Sequence, residues 1–163
     1  ARLSEYFNIN QGNVHAYVFG EHGDTSFIPW SVANISNVPI EKCRDLITTP
    51  GIIAPKLDYA DIEQYVRKSG GRVIARKGAT FYAVSISVCH ICKCLSGSID
   101  TTMTVSTMMH GEYGIDDVCL STLNMIGRNG IRGKVNLSLT DEETAKLRHS
   151  ADTLKDVIKS LDI

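Results

Sequence analysis

The sequence predicts an α+β fold in which mostly antiparallel strands are combined with long helices. Three observations carry this expectation. Strand-like stretches at 120–126 and 131–139 flank Asn129-Gly130, a strong hairpin signal because both residue types tolerate positive φ. Segments with helical periodicity lie between and after the strands rather than alternating strictly with them. No strand–GxGxxG–helix unit is present, so no doubly wound (Rossmann) domain is predicted within this chain. The three-residue spacing of Gly127, Gly130 and Gly133 belongs to the hairpin.

The elements follow in order. Residues 1–7 read as a helical turn or two with no capping residue in front, as though the chain opened inside a larger protein. Gln11-Gly12-Asn13 breaks this helix. Val14, Ala16 and Val18 alternate with His15, Tyr17 and Phe19, which predicts a strand with both faces at least partly covered. Residues 30–35 are a second strand candidate, turned back over 34–39. Thr48-Thr49-Pro50-Gly51 reads as a loop. From Asp58 the pattern becomes helical, with Ile62, Val66, Ser69 and Val73 on one face. Gly70-Gly71 within that run marks a kink or a tight helix contact.

A second helix is expected from near Thr80, with Val84, Val88, Ile91 and Leu95 as its apolar stripe and Gly97-Ser98 as its end. Residues 102–109 are rich in β-branched residues and methionine and predict a strand. The final helix carries a capping box, Thr140 with Glu143, and three acidic residues near its positive end. Leu147, Ala151, Leu154, Ile158 and Leu161 form its apolar face.

A chain of 163 residues suits one domain spanning 1–163 and can hold a real core. Its 17 basic and 18 acidic residues leave a net charge of −1, which argues against nucleic acid or an anionic membrane as a main partner. No apolar run reaches the ~18 residues of a membrane span, and the polar start does not resemble a signal peptide. Five cysteines without framework spacing point to free thiols in a reducing compartment, the cytoplasm. Cys89-His90-Ile91-Cys92-Lys93-Cys94 invites a metal reading. No second ligand pair follows at zinc-site spacing, so these cysteines are expected to be small packing residues and no metal is expected.

Gly20-Glu21-His22-Gly23-Asp24-Thr25 is the segment that promises chemistry. Histidine alone among side chains has an unperturbed pKa near neutrality, about 6.5. Flanking glycines allow a sharp turn and the close approach of a ligand. Together they make a seat for a group that both donates and accepts a proton.

This string, running on to Trp30-Ser31, resembles the active-site histidine segment of the L-lactate dehydrogenase branch of the lactate/malate dehydrogenase family. The resemblance extends from Ala1-Arg2-Leu3 through Lys77-Gly78-Ala79-Thr80 and Ser106-Thr107-Met108 to Ser150-Ala151-Asp152-Thr153-Leu154, in that order. Trp30-Ser31 is more like lactate than malate dehydrogenases. The region resembled is the C-terminal, substrate-binding domain. It implies interconversion of pyruvate and L-lactate with NAD as cofactor, in an enzyme that forms homo-oligomers.

By the same resemblance His22 is the proton donor and acceptor, and Arg2 binds the substrate carboxylate. Thr80 lines the substrate pocket, and Val84 packs near the nicotinamide ring, where it also serves as core. Asp24 is expected to order the loop. The N-terminal domain that binds most of NAD is expected to be absent from this chain. So are the aspartate that pairs with the histidine and the arginine that polarises the substrate carbonyl. The isolated polypeptide is therefore expected to have no turnover.

His15 lies in Asn13-Val14-His15-Ala16-Tyr17, similar to a segment that helps allosteric members bind fructose 1,6-bisphosphate. Ser4 stands where the partner arginine would be. Other readings stay open at this stage. The substrate could be malate or a branched or longer 2-hydroxy acid. The chain could be a non-catalytic, self-associating fragment. A hydrolase using Ser26 or Ser31 is disfavoured, because neither serine sits in a Gly-x-Ser-x-Gly turn.

Overall fold

A computed structural model describes residues 1–43 and 56–161. The elements are α1 (Arg2–Phe7), β1 (Val14–His15), β2 (Asn34–Ile35), β3 (Val38–Pro39), α2 (Tyr59–Lys77), α3 (Tyr82–Ser96), β4 (Thr101–His110), β5 (Asp116–Gly127), β6 (Gly130–Lys134) and α4 (Asp141–Ser160). The predicted α+β class is what is found. Both sheets are antiparallel and three-stranded, ordered β1-β2-β3 and β4-β5-β6. The loop predicted at Thr48-Thr49-Pro50-Gly51 lies outside the described residues.

β5 is the centre of the larger sheet. It alternates outward residues such as Cys119 with buried Val118, Leu120, Thr122 and Asn124. Asn124 is fully buried and polar, and its amide donates to the carbonyls of Val105 and Thr122, so no group is left unpaired. The β5–β6 hairpin falls where Asn129-Gly130 signals it. Only Gly130 of the two takes positive φ, 84°, and the register shifts further along, between Met125 and Ile126 opposite Arg132. The turn thus closes on a glycine in the left-handed region, and the ladder's irregularity follows two residues later.

α4 packs across this sheet. Thr140 and Glu143 form the expected capping box. Leu147 and Ala151 are buried with Phe19, Phe27, Met109, Ile115, Val118, Leu120 and Leu123, and Leu154 is partly buried against them. Ile158 and Leu161, expected on the same face, are about half exposed, so the helix outruns the sheet beneath it.

A second core lies among α1, the small sheet and α2. Leu3, Ile28, Ala33, Ile35, Ile40, Cys43 and Ile62 are buried there. Residues 19–28 pass from one core to the other, Phe19 and Phe27 serving the first and Ile28 the second.

Several expected elements differ. The strand predicted over 14–19 is regular only at Val14–His15, because β2 offers it just two residues, and pairing resumes at Phe19. Residues 30–35 do not form one strand. Trp30–Val32 is a 3-10 turn, and only Asn34–Ile35 is extended. Trp30 is drawn to Glu63 of α2 and Ser31 to Glu143 of α4, and these tertiary bonds override the local pattern. Regular pairing over 131–139 stops at Lys134, although Val135, Leu137 and Leu139 still pack on the first core.

α2 runs straight through Gly70-Gly71. A Cβ at either glycine would meet nothing within 4 Å among the described residues, so the pair makes no tight contact with them. The stripe on α2 is buried only at its start, with Ile62 buried and Val73 exposed. The stripe predicted on α3 is likewise uncovered: Val84, Val88 and Leu95 are exposed and Ile91 is partly buried. Cys89 and Cys92 are exposed rather than packed in a core, because what packs on this helix among the described residues, chiefly β5, leaves them open.

The β4–β5 connection holds a pH-sensitive tie. The Glu112 carboxylate accepts the His110 N–H at 2.7 Å and the Lys134 ammonium at 2.9 Å. The His110 N–H is the larger cause, and the two together hold the Glu112 carboxyl at about 2 against an ordinary 4.5. A carboxyl whose pKa is lower folded than unfolded stabilises fully above the unfolded value. That contribution is lost as pH falls from 4.5 towards 2. Urea titrations over this range are expected to show Glu112→Gln flattening the decline in stability; an unchanged pH profile would contradict the role given to this pair.

Candidate functional site

The loop that carries His22 is framed before the histidine is reached. Phe19 and Phe27 exchange two backbone hydrogen bonds, 2.9 and 3.1 Å, which close residues 20–26 into a loop. Gly20 and Ser121 exchange two more, 3.1 and 3.0 Å, so the loop's first residue is stitched to the edge of β5. Arg67 of α2 donates to the Ser26 carbonyl at 2.7 Å on the other side. Ser26 itself donates to the Gly23 carbonyl. His22 stands exposed on this fixed frame.

The carboxylate that orders the loop is that of Glu21. Its Oε1 accepts both the backbone N–H and the hydroxyl of Thr25, at 3.0 and 2.8 Å. Asp24, to which this duty was assigned from the sequence, stands exposed. Ser150, fully buried on α4, accepts the Glu21 N–H at 2.7 Å. Gly20 has φ 98°, and a Cβ there would fall 2.7 Å from the Ser150 hydroxyl oxygen. Glycine is needed at this position for both reasons.

Arg2 sits at the start of α1. Its guanidinium lies 4.5 Å from the ring centre of Tyr65 on α2 and 4.8 Å from that of Tyr6, stacked as a cation over aromatic faces. One nitrogen pairs with Glu5 at 3.3 Å on the surface. Nε is buried and has no hydrogen-bond partner among the described residues. A buried, charged donor without a partner retains capacity for an anion.

α2 links this arginine to the histidine loop. Tyr65 meets Arg2, and two residues on Arg67 holds Ser26. Glu63 of the same helix accepts the Trp30 indole N–H at 2.9 Å and the Ile28 N–H at 3.4 Å. Arg2 and the His22 loop are thus tied to one helix. Thr80 lies in the connection between α2 and α3 and Val84 on the first turn of α3, both exposed. Among the described residues no hydrogen bond joins either of them to Arg2 or to the His22 loop.

His15 is exposed on β1 opposite Asn34. The Ser4 hydroxyl donates to the Ala1 carbonyl within its own helix, so it does not reach out towards an anion. Ser31 is spent on Glu143, whose carboxyl burial pushes up but which hydrogen bonds from Ser31 and Thr140 hold below the ordinary value. Neither Ser26 nor Ser31 hydrogen-bonds to a histidine. A cleft of about 470 Å³ is lined by Trp30, Ser31, Tyr59, Glu63, Glu143 and Lys146 among others, and by none of Arg2, His22 or Thr80. Among the described residues no three histidine, cysteine or acidic side chains cluster as a metal site.

Nothing in the sequence pattern assigns a role to Glu21, Arg67 or Ser150. Ser150 left one trace, a hydroxyl on the apolar stripe of α4 between Leu147 and Leu154. Arg67 left none, because its partner is a backbone carbonyl brought near by folding, and nothing in the sequence says which of the two loop carboxylates, Glu21 or Asp24, reaches Thr25.

This α+β domain, with an exposed histidine on a braced loop, has the architecture of dehydrogenase C-terminal domains. The chain belongs to the lactate/malate dehydrogenase family, whose model for the alpha/beta C-terminal domain matches residues 1–162. It is 40% identical to an L-lactate dehydrogenase of Thermoanaerobacterium saccharolyticum over 99% of this chain and 51% of that protein. It is 39% identical to one of Acetivibrio thermocellus over 99% and 50%. The chain spans about half the length of the curated relatives it matches. Among solved structures, a lactate dehydrogenase from a Medee basin deep-sea metagenome library superposes with a TM-score of 0.92 at 28% identity, covering 99% of this chain and 51% of that one. The L-lactate dehydrogenase of Clostridium thermocellum superposes with a TM-score of 0.85 at 31% identity, with the same coverage.

Proposed function

We propose that this chain is the substrate-binding half of an NAD-dependent L-lactate dehydrogenase that interconverts pyruvate and L-lactate. The observation that carries this reading is one exposed imidazole on a loop braced by β5, α2 and α4, with an arginine tied to the same helix. Arg2 grips the substrate carboxylate through parallel N–H bonds, which fixes orientation as well as charge. His22, as imidazolium, gives its proton to the keto oxygen of pyruvate and takes it back when lactate is oxidised. Thr80 lines the pocket beside them.

Reduction of the keto carbon also needs a hydride, which NADH supplies in this chemistry. The residues present fit such a cofactor. Val84, 57% exposed, offers an uncovered apolar side chain against which a planar ring would pack. The adenine and pyrophosphate ends belong to a nucleotide-binding domain outside this chain. That domain and a second copy of this one would cover the exposed Phe81 and the exposed α3 residues Tyr82, Ile86 and Val88. All five cysteines are free, which supports a reducing, cytoplasmic setting. Among the described residues no helix is long and apolar enough to cross a membrane.

The test is an NADH-oxidation assay with pyruvate on this chain alone and on the full-length protein that carries it. Saturable turnover is expected only from the longer protein. Turnover by this chain alone, or none with pyruvate in the longer protein, would overturn the reading.

A further inference from the structure

Resting on the role proposed for His22, we propose that Ser150 is a positioning residue for that imidazole, acting from α4 through the two residues that flank it in the loop. The Ser150 hydroxyl oxygen lies 2.7 Å from the Glu21 backbone nitrogen and 3.0 Å from the Thr25 hydroxyl oxygen. The Thr25 hydroxyl also lies 2.8 Å from Glu21 Oε1. Proton counting fixes the directions. A carboxylate only accepts, so the single Thr25 hydroxyl proton goes to Glu21. The contact between the two hydroxyls is then made with the Ser150 proton, and Ser150 Oγ accepts the Glu21 N–H.

A closed circuit results, from the Glu21 N–H to Ser150, from Ser150 to Thr25, and from Thr25 to the Glu21 carboxylate. It encloses His22, Gly23 and Asp24. Its only member outside the loop is Ser150, which has 0% exposure and sits on the helix stripe buried against β5. Every other bond of the circuit moves with the loop. Ser150 refers it to the rigid sheet–helix core at the middle of the loop, between the Gly20–Ser121 and Arg67–Ser26 bonds that hold the loop's two ends. Gly20 completes the fit, since any larger residue there would collide with the same hydroxyl.

Removing the hydroxyl leaves the Glu21 N–H and the Thr25 oxygen without their partner and lets the loop settle elsewhere. A displacement of about 1 Å at a reacting group can cost about 100-fold in rate. In the full-length protein, Ser150→Ala is expected to lower kcat for pyruvate reduction about 10- to 100-fold and to leave KM within about two-fold, because Arg2 and not the loop carries carboxylate binding. Ser150→Thr, which keeps the hydroxyl, is expected to recover most of kcat.

The decisive comparison is a double-variant cycle. If Ser150 acts through His22, Ser150→Ala makes no further loss when added to His22→Asn. An undiminished kcat in Ser150→Ala beside an inactive His22→Asn overturns this inference alone. Equal losses from Ser150→Ala in both backgrounds also overturn it, because they assign the serine to stability. Full activity in His22→Asn overturns the proposed function itself. Should the alanine variant fail to fold, Thr25→Val cuts the same circuit at its half-buried side and is expected to show the same split between kcat and KM.

Discussion

Replacing His22 by asparagine in the full-length protein is expected to lower kcat/KM for pyruvate by about 10²- to 10⁴-fold, the range a positioned acid–base group supplies. Asparagine keeps a hydrogen-bonding side chain of similar reach but cannot deliver a proton. The substitution is clean because the imidazole is exposed and makes none of the bonds that hold the loop. Those come from the backbone of Phe19, Gly20 and Phe27 and from Glu21, Thr25, Arg67 and Ser150. The melting temperature is therefore expected to stay within about 2 °C of the parent, since exposed substitutions away from special contacts change stability little. Steady-state kinetics and thermal unfolding on the same preparations check both halves. A variant within ten-fold of the parent activity would remove His22 from the reaction.

Arg2→Leu is expected to have a comparable effect by another route. Truncating one partner of a hydrogen-bonded charge pair shielded from water weakens an interaction by about 30- to 5,000-fold. Here that loss should appear mainly as a raised KM, because the carboxylate is held in the ground state as well as during reaction. Arg2→Lys is not a mild change. An ammonium cannot reproduce the two-pronged geometry, nor lie as a plane over Tyr65 and Tyr6. Kinetics with pyruvate, and with an analogue whose carboxylate is replaced by an amide, separate charge recognition from general disruption. The parent should discriminate strongly against the amide, and Arg2→Leu should not. Equal discrimination by both proteins would show that another group reads the carboxylate.

The sequence announces the parts of this fold that rest on local chemistry. The Thr140–Glu143 capping box, the glycine-closed hairpin at 129–130, and the helical runs after Asp58 and near Thr80 all formed where their residue types demand. It misleads where distant contacts decide. Residues 30–35 carry a strand-like pattern. Yet Trp30 hydrogen-bonds to α2 and Ser31 to α4, and the backbone coils to satisfy both. The apolar stripe of α3 shows another limit. Periodicity states which residues share a face, and it does not state whether anything described covers that face.

The site divides in the same way. His22 and Arg2 stand out because their residue types suit the chemistry and their neighbourhoods resemble a known family. The brace around His22 does not, because the bonds that tie its loop to the rest of the fold join segments far apart in the chain. Glu21 to Ser150 spans 129 residues, and Arg67 to Ser26 spans 41. The family resemblance assigns the ordering of the loop to Asp24. The geometry gives that work to Glu21, whose side chain folds back over Gly23 to reach Thr25.

The most direct measurement is a crystal structure of the full-length protein with NADH and an unreducible analogue of pyruvate. We expect a ring nitrogen of His22 within about 3 Å of the oxygen that takes the proton, and the analogue's carboxylate on the guanidinium of Arg2. An analogue seated with its carboxylate on a different cation, or a His22 ring directed to solvent while the substrate oxygen meets another donor, would contradict the account.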